Sequence, residues 1–383
     1  MFEELRTRGK VLWDEGMRSW IVLDYATCRY IESDEDLFHN AYAKVNPQFE
    51  QIKGGPNITS MQGQEHLRMR RFHLQLLSRA AVEEYCKDFV APITDFLIDR
   101  ILRRGTADLT ADFGDQLPPR LTAALFGMPW QDDDLVSDLL KHNDAVMTWI
   151  GLRATGDVES ERKAKTASEQ LNNLILPFIQ RRRAEPGVDF VSRALAEGPN
   201  HYENMSDQDV IAMCRELLLA ASDTTVHAIA NAFYLILTHD EARAGLLDDA
   251  DATAEAIIEE TLRFYGSVQY QVRYAAQDLE IGGVPIRKDA SIVLHHAAAN
   301  RDPETYECPQ EVDLSRRLPK KHLAFGVGPR TCPGAGLARA EMKVALQTVF
   351  TRLRNLRFDP SAQQPHFDGY YTRSWRPLNV VFG

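Results

Sequence analysis

One cysteine of this chain lies in a glycine-rich loop that leads directly into a predicted helix. The loop reads FGVGPRTCPG from Phe325 to Gly334, with Cys332 as its thiol, and the helical pattern runs from Ala335 to Leu353. Glycines have no side chain, so the backbone can turn tightly here and a flat ligand can approach it. Unpaired N–H groups at the start of a helix favour a thiolate over a thiol. Because Arg330 places a cation two residues before the sulfur, the loop is suited to a metal whose ring carries acidic groups.

A second group of polar residues interrupts a long apolar helix. A capping signature at Ser206 predicts where this helix begins, and the pattern continues to about His239, a length on the order of 50 Å. The segment Leu217 to Ala221 is apolar on all sides and should be buried. Asp223 and Thr224 follow it, and buried polar groups need partners or a function. The residues alone leave two structural alternatives open, in which Thr224 bonds back to the preceding turn and Asp223 reaches a nearby cation.

Two further pairs of polar residues have helical spacing. His66 and Arg70 are four residues apart, and Glu260 and Arg263 are three apart, so each pair shares one helix face. By themselves the first pair is typical of a solvated basic face. The second is typical of a surface ion pair, which stabilises a protein little. Their importance therefore depends on the rest of the chain.

Length and composition limit the class of protein. The chain has 383 residues, 44% of them hydrophobic, a net charge of −11 and five cysteines. The acidic balance argues against general nucleic-acid binding. The cysteines are scattered, odd in number and form no CxxC pair, which fits a reducing cytosol rather than zinc or disulfides. The charged N-terminal segment is neither a signal peptide nor a membrane span, so we expect a cytoplasmic protein without a membrane partner.

These features together resemble the cytochromes P450, specifically the soluble bacterial kind. The haem-ligand loop of that family is matched at Phe325, Gly326, Gly328, Arg330, Cys332 and Gly334. The oxygen-activation segment is matched from Ala220 to Thr224, although Ala221 stands where the family more often has glycine. Helical patterns without strand–helix alternation already predict a mainly α protein. The resemblance implies the P450 fold over residues 1–383, as a single large helical domain with small β-sheets.

The resemblance also implies the cofactor, haem b (iron protoporphyrin IX), and the residues that hold it. Cys332 would ligate the iron, and a thiolate ligand favours cleavage of a trans O–O bond. The propionates would be neutralised by His66, Arg70, Arg273 and Arg330. Ala220, Phe325 and Gly334 complete the implied cofactor-binding set. The Glu260–Arg263 pair would be buried and would fix the loop that leads to the cysteine.

For the chemistry, the resemblance implies that Thr224 hydrogen-bonds the bound oxygen species and that Asp223 relays protons from solvent. One sequence feature modifies this expectation at the sulfur. Pro333 has no N–H to donate towards Cys332, so we expect a more electron-rich sulfur and a lower reduction potential than with another residue.

The implied activity is that of a monooxygenase, which inserts one oxygen atom from O₂ into a small organic substrate that is apolar by default. Electrons would come from a separate ferredoxin-type protein, and Arg68, Arg71 and Arg79 could form its docking patch. A peroxide-driven peroxygenase and a haem-binding sensor without turnover are the alternatives. Asp223 and Thr224 count against the peroxygenase, which typically lacks this acid–alcohol pair. The sequence carries no code for the substrate itself.

Four expectations concern residues around the site. Residues 42–60 should form an irregular loop over the substrate pocket. The turn from Tyr370 to Leu378 would bring Ser374 or Trp375 towards the substrate. We expect His295 and His296 to be structural rather than iron ligands. A salt bridge to a neighbouring helix is expected for Glu216.

Overall fold

The structure is a computed structural model that describes residues 2–40, 47–152, 157–316 and 321–383. The helices within these ranges are α1 Phe2–Arg8, α2 Tyr25–Ser33, α3 Pro47–Lys53, α4 Gly63–Leu76, α5 Arg79–Tyr85, α6 Ala91–Leu102, α7 Leu117–Leu125, α8 Asp133–Leu152, α9 Val158–Ala184, α10 Phe190–Glu197, α11 Asp207–Thr238, α12 Asp240–Asp248, α13 Ala250–Phe264, α14 His296–Ala299 and α15 Ala335–Arg352. Short π-helical turns lie at Cys86–Val90 and Thr110–Gly114, and short 3₁₀ turns at Gly198–Asn200 and Gly328–Arg330.

The strands of the described residues form small sheets. They are β1 Val11–Asp14, β2 Ser19–Val22, β3 Phe38–Asn40, β4 Thr106–Asp108, β5 Gln271–Ala275, β6 Leu279–Ile281, β7 Val284–Ile286, β8 Ser291–Leu294, β9 Arg357–Phe358, β10 His366–Gly369, β11 Arg373–Arg376 and β12 Asn379–Val381. The largest sheet has the order β1-β2-β8-β5-β3, in which only the β2–β8 pair is parallel. The others are β10-β11, β4-β12-β9 and β6-β7. The expectation of a mainly α protein with small sheets is confirmed.

Helix α11 is the element around which the larger apolar core is built. Ser206 and Asp209 form a reciprocal capping box at its start, and His239 caps its end, as the sequence predicted. It packs against α7, α9, α13 and α15 and against strand β11. Its 32 residues span about 48 Å. A helix buried by so many neighbours must be apolar on most faces, which explains its composition.

A second, smaller core lies between the five-stranded sheet and α2. Its buried residues include Val22, Ile31, Phe38, Ile292 and Leu294. This core holds the C-terminal end of α2 against the Gly328–Arg330 turn. The end of α2 is therefore fixed beside the cysteine loop.

Two expectations are tested at the level of elements. The irregular loop expected over residues 42–60 is wrong in part, because residues 47–53 form α3, while residues 42–46 lie outside the described ranges. In the described ranges no helix combines the length and the apolar character needed to span a bilayer.

Candidate active site

The cysteine loop is closed by its own backbone and shaped by α2. The N–H of Cys332 donates to the carbonyl of Phe325 at 2.8 Å. Gly328 adopts a φ of 73°, and a Cβ added there would lie 2.7 Å from the carbonyl oxygen of Glu32 and 2.9 Å from the Cα of Ser33. Backbone atoms cannot move away as a flexible side chain can. The glycine at 328 is therefore required by the close approach of α2.

Cys332 is exposed to solvent although protein atoms surround it. The surrounding protein desolvates the thiol and raises its pKa. The backbone N–H groups of Gly334 and Ala335 and the charges of Arg70 and Arg339 act in the opposite direction but do not outweigh the desolvation. The expectation that the helix N-terminus by itself favours the thiolate is therefore not met. A bound metal cation would supply the missing stabilisation.

One face of α11 is accessible in the middle of an otherwise buried helix. Leu217, Ala221 and Thr224 are partly exposed and Ala220 is exposed, whereas Leu218, Ser222 and Val226 are buried. The spacing i, i+3, i+4, i+7 puts the accessible four on one face. Helix α11 packs against α15, which begins three residues after Cys332. An accessible thiol and an accessible small-residue face in the interior are what a cleft for a flat, largely apolar ligand requires.

The polar residues of α11 have partners on their own helix, and Thr224 adopts the alternative in which it bonds back to the preceding turn. Thr224 Oγ1 donates to the carbonyl of Ala220 at 2.7 Å, so its oxygen lone pairs remain able to accept. Asp223 Oδ1 lies 3.6 Å from Nε2 of His227. Burial would raise the pKa of Asp223, but His227, Thr372 and the charge of Arg376 lower it overall. Asp223 is thus held as a carboxylate.

Three of the four basic residues expected to hold propionates meet around Glu35. Arg330 forms an ion pair with Glu35 and donates to the carbonyl of Met61 at 2.8 Å. Nδ1 of His66 lies 3.9 Å from Glu35 Oε2, is buried and has no hydrogen-bond partner. Arg70 donates to the carbonyl of Thr331, next to the cysteine, at 2.5 Å. Burial, followed by the charge of Arg330, lowers the pKa of His66 to about 4, so this imidazole is neutral.

The fourth basic residue, Arg273 on β5, contacts a different carboxylate. Its Nη2 lies 3.7 Å from Oε1 of Glu32, which also lies 3.1 Å from Nε2 of His296. The backbone N–H of Val327 donates to Glu32 Oε2 at 3.0 Å. Desolvation lowers the pKa of Arg273, and the charges of Arg330 and Glu35 act on it as well. Because Arg330 and Glu35 are close enough to act on Arg273, all four basic residues lie in one region of the protein.

Sequence reasoning missed Glu32 and Glu35. They lie at and just beyond the end of α2, 295 residues from the partners they bind in the cysteine loop. No local motif marks either residue. An excess of cations, with one buried imidazole nitrogen unpartnered, fits an anionic ligand at this position.

The Glu260–Arg263 pair is buried, as expected from the resemblance. Arg263 donates to both carboxylate oxygens of Glu260 at 2.6 and 2.7 Å, and Arg316 lies 3.1 Å from the same carboxylate. Arg263 Nη1 also donates to the carbonyl of Asn300 at 3.0 Å. The side chain of Asn300 accepts the N–H of Leu323 at 2.7 Å, two residues before the loop begins. The pair is thus connected to the cysteine loop through Asn300.

A second buried carboxylate holds the loop from both of its ends. Glu259 lies 3.1 Å from Nε2 of His322, before the loop, and 3.0 Å from Nη2 of Arg339, after it. The Arg339 guanidinium also lies over the ring of Phe325. Burial raises the pKa of Glu259, but the donors His322 and Arg339 outweigh it and bring the pKa to about 2. The sequence analysis did not identify Glu259. Its position directly before the Glu260–Arg263 pair was the only sequence feature that pointed to it.

The remaining expectations concern structural roles. His296 binds Glu32, and Nδ1 of His295 accepts the N–H of Ala298 at 3.3 Å, so both histidines have structural partners. Glu216 forms the expected salt bridge, at 2.8 Å to Lys53 of α3. Within the stretch expected to be a turn, residues 373–376 form strand β11, and the fully buried Ser374 lies 2.7 Å from Nδ1 of His227 on α11.

Comparison with known proteins assigns the family. The family model "Cytochrome P450" matches residues 12–370, and the chain belongs to this family. Members of this family carry a haem whose iron is held by a cysteine thiolate. The chain is therefore a P450-type oxidoreductase.

Curated relatives are bacterial P450 enzymes. The chain is 32% identical to mycinamicin IV hydroxylase/epoxidase of Micromonospora griseorubida over 375 residues, which covers 96% of this chain and 90% of that enzyme. It is 29% identical to pulcherriminic acid synthase of Bacillus subtilis, covering 100% of this chain and 94% of the relative. It is also 29% identical to 6-deoxyerythronolide B hydroxylase of Saccharopolyspora erythraea, covering 88% and 83%.

Solved structures confirm the P450 fold. CYP109E1 from Bacillus megaterium in complex with corticosterone has a TM-score of 0.85 at 22% identity, covering 100% of this chain and 97% of that one. CYP109B1 from Bacillus subtilis has a TM-score of 0.83 at 25% identity, covering 100% and 98%.

Proposed function

We propose that this protein uses haem b to insert one oxygen atom from O₂ into a small, mainly apolar organic substrate, with electrons supplied by a separate ferredoxin-type protein. The observation that carries the proposal is the solvent-accessible thiol of Cys332. It is approached by two backbone N–H groups and lies in the interior next to a cluster of cations. We also propose that residues 1–383 form one haem domain in the cytoplasm. The five cysteines, all free in the structure, support a reducing compartment.

In this proposal Cys332 ligates the iron, while His66, Arg70, Arg273 and Arg330 bind the haem carboxylates. When bound, the haem supplies the activation of dioxygen. Gly334 and Ala220 leave room for the flat ring because they present almost no side chain, and Phe325 completes the proposed cofactor-binding set. Glu32 and Glu35 orient the guanidinium groups, as hydrogen-bonded carboxylates do for metal-site ligands elsewhere.

Asp223 and Thr224 provide the proton path in this proposal. Thr224 donates to a backbone carbonyl and can accept a hydrogen bond from the reacting centre. Asp223 is ionised, and 40% of its side chain is exposed, so it can exchange protons with water and pass them on.

The proposed substrate is apolar because the accessible face of α11 presents Leu217, Ala220 and Ala221. The relatives named above are named for different molecules, among them mycinamicin IV and 6-deoxyerythronolide B. They therefore support oxidation of a small molecule as the shared activity, and they do not single out one substrate.

A basic surface near the cysteine supports an acidic protein as the electron donor. Arg68, Arg71 and Arg79 are exposed and lie on α4 and α5. Arg71 follows Arg70, whose side chain contacts the residue before Cys332. Arg79 is paired with Glu83 in the free protein, so Arg71 is the better probe. Arg71→Glu should raise the KM for an acidic ferredoxin severalfold without changing the haem spectrum.

The decisive experiment is reconstitution. Reduced protein with carbon monoxide should give the red-shifted band of a thiolate-ligated haem, and Cys332→His should abolish that band. An imidazole-type band in the wild-type protein would refute the proposal. With a surrogate ferredoxin, its reductase and NADH, a binding substrate should yield a product that contains one added oxygen atom. Turnover with hydrogen peroxide alone would favour the peroxygenase, and binding without turnover would favour the sensor.

A further inference from the structure

A chain of polar contacts runs from the accessible surface to Asp223. Arg376 Nη2 donates to Asp115 Oδ1 at 2.9 Å, and about a third of each side chain is exposed. Arg376 Nε donates to Oγ of Ser374 at 3.3 Å. Ser374 Oγ lies 2.7 Å from Nδ1 of His227, and Nε2 of His227 lies 3.6 Å from Asp223.

The groups around His227 determine which atom donates in the contact with Asp223. An ionised carboxylate carries no hydrogen and can only accept, so Nε2 of His227, which faces Asp223, is the donor. Oγ of Ser374 has one hydrogen and two lone pairs, so it can accept the Arg376 N–H and still bond Nδ1 of His227. The ring therefore presents a hydrogen, and not a lone pair, to the carboxylate.

The position of Ser374 is itself fixed by α11. Asn231 lies four residues after His227 on the same helix face. Its Oδ1 accepts the N–H of Trp375 at 3.0 Å, and its Nδ2 donates to the carbonyl of Arg373 at 3.0 Å. The residues on both sides of Ser374 are thus bound to α11. Ser374 cannot shift along the helix without breaking both bonds.

We infer that His227, oriented by Ser374, is a positioning residue that holds Asp223 ionised and correctly directed for proton delivery. This inference rests on the proposed role of Asp223 in the monooxygenase. The protons are exchanged by Asp223 itself, and His227 keeps its own Nε2 hydrogen throughout. The charged groups that act on this pair are Arg376, Asp115 and, through Asp223, Asp144 on α8.

The inference predicts a shift in pH dependence rather than a simple loss of activity. Burial raises the pKa of Asp223, and the imidazole donor is one of the groups that lower it. Removing the imidazole should therefore raise the pKa of this carboxyl. In His227→Leu, the acidic limb of the plot of product formed per NADH against pH should move up by about one pH unit. His227→Gln keeps an amide N–H at similar reach and should return the limb towards the wild-type position.

The control is His239→Leu, which removes another histidine from the end of the same helix and should leave the limb in place. Ser374→Ala should shift the limb in the same direction as His227→Leu, because Nδ1 loses the hydrogen bond that orients the ring. A lower plateau with an unmoved limb in His227→Leu would overturn the inference, since a purely structural defect would have that effect. A shift in the His239→Leu control would also overturn it.

A second readout does not depend on turnover. In the reduced holoprotein with carbon monoxide bound, the pKa of the Asp223 carboxyl can be followed by ¹³C NMR. The Asp223→Asn variant identifies the resonance of this carboxyl carbon. The pKa should rise in His227→Leu and recover in His227→Gln, and an unchanged value in His227→Leu would refute the inference. Because the titration needs neither substrate nor electron donor, it can succeed even if the proposed monooxygenase activity fails.

Discussion

Arg339 lies over the ring of Phe325, with its Cζ 4.5 Å from the ring centroid. The second turn of α15, the helix that follows the cysteine loop, thereby contacts the first residue of that loop. The same guanidinium donates to Glu259 on α13. The loop is consequently held as a closed unit by a cation–π contact and a buried carboxylate, in addition to its own backbone.

The carboxylate of Glu259 should stabilise the folded protein at neutral pH. Glu259→Gln replaces charge-assisted hydrogen bonds to His322 and Arg339 with neutral ones, which should cost roughly 1.5–3 kcal/mol of unfolding free energy at pH 7. Because the folded pKa is about 2, below the usual value, this contribution is present above about pH 4.5 and is lost as the pH falls towards 2. Urea unfolding at pH 7 and pH 3 tests the prediction. An equal difference at both pH values would contradict it.

Removal of one partner of the Glu260–Arg263 pair should be far more damaging than its sequence spacing suggests. Arg263→Ala leaves Glu260 buried without its main partner, a cost of roughly 3–5 kcal/mol. We expect the ratio of haem to protein in the purified Arg263→Ala variant to fall sharply. Arg162→Ala disrupts an exposed pair of the same spacing with Glu159 and serves as the control. Full haem content in Arg263→Ala would show that Asn300 and Leu323 hold the loop without it.

The buried carboxyl of Glu341 on α15 should make the protein less stable as the pH rises from about 4.5 to about 8. Burial raises its pKa to about 8, and its Oε1 has no hydrogen-bond partner. Between pH 4.5 and 8 the folded state keeps a proton that the unfolded state releases, so unfolding free energy falls by about 1.4 kcal/mol per pH unit. Glu341→Gln should remove this decline, with little difference from wild type near pH 4.5 and the largest gain above pH 8. Parallel stability curves for the two proteins would refute the prediction.

Pro333 should lower the reduction potential. The N–H groups of Gly334 and Ala335 act on the Cys332 sulfur, whereas proline has no N–H to add. Pro333→Leu supplies another donor near the sulfur and should raise the potential measured by spectroelectrochemistry. Pro333→Ala should change it in the same direction, which separates the effect of the amide from that of the side chain. An unchanged or lower potential in both variants would refute the prediction.

Thr224 should affect coupling rather than substrate binding. Thr224→Ala removes the hydroxyl on the accessible face of α11, so substrate should still bind while NADH electrons are diverted to hydrogen peroxide. Peroxide formed per NADH should rise severalfold. Thr225→Ala changes the neighbouring threonine, which is buried on another face of the helix, and should leave this ratio unchanged. Intact coupling in Thr224→Ala would remove Thr224 from the proton path.

The sequence by itself determined the parts of this protein that depend on short spacings. The ends of α11 follow from the capping residue Ser206 and from the apolar run that it starts. The glycines before Cys332 and the three-residue spacing of Glu260 and Arg263 are also local patterns. A fixed helical or turn geometry converts such spacings directly into positions, which is why these features agree with the structure.

Only the tertiary structure decided which distant groups meet. Glu32 and Glu35 reach the cysteine loop, and Ser374 reaches His227, across separations of 147 to 295 residues. It also decided that desolvation raises the pKa of the Cys332 thiol, against the expectation from its helix N-terminus. The physical reason is common to these cases. Charge pairing and desolvation depend on which surfaces pack together, and that packing is set by the whole apolar core rather than by the residues adjacent in the chain.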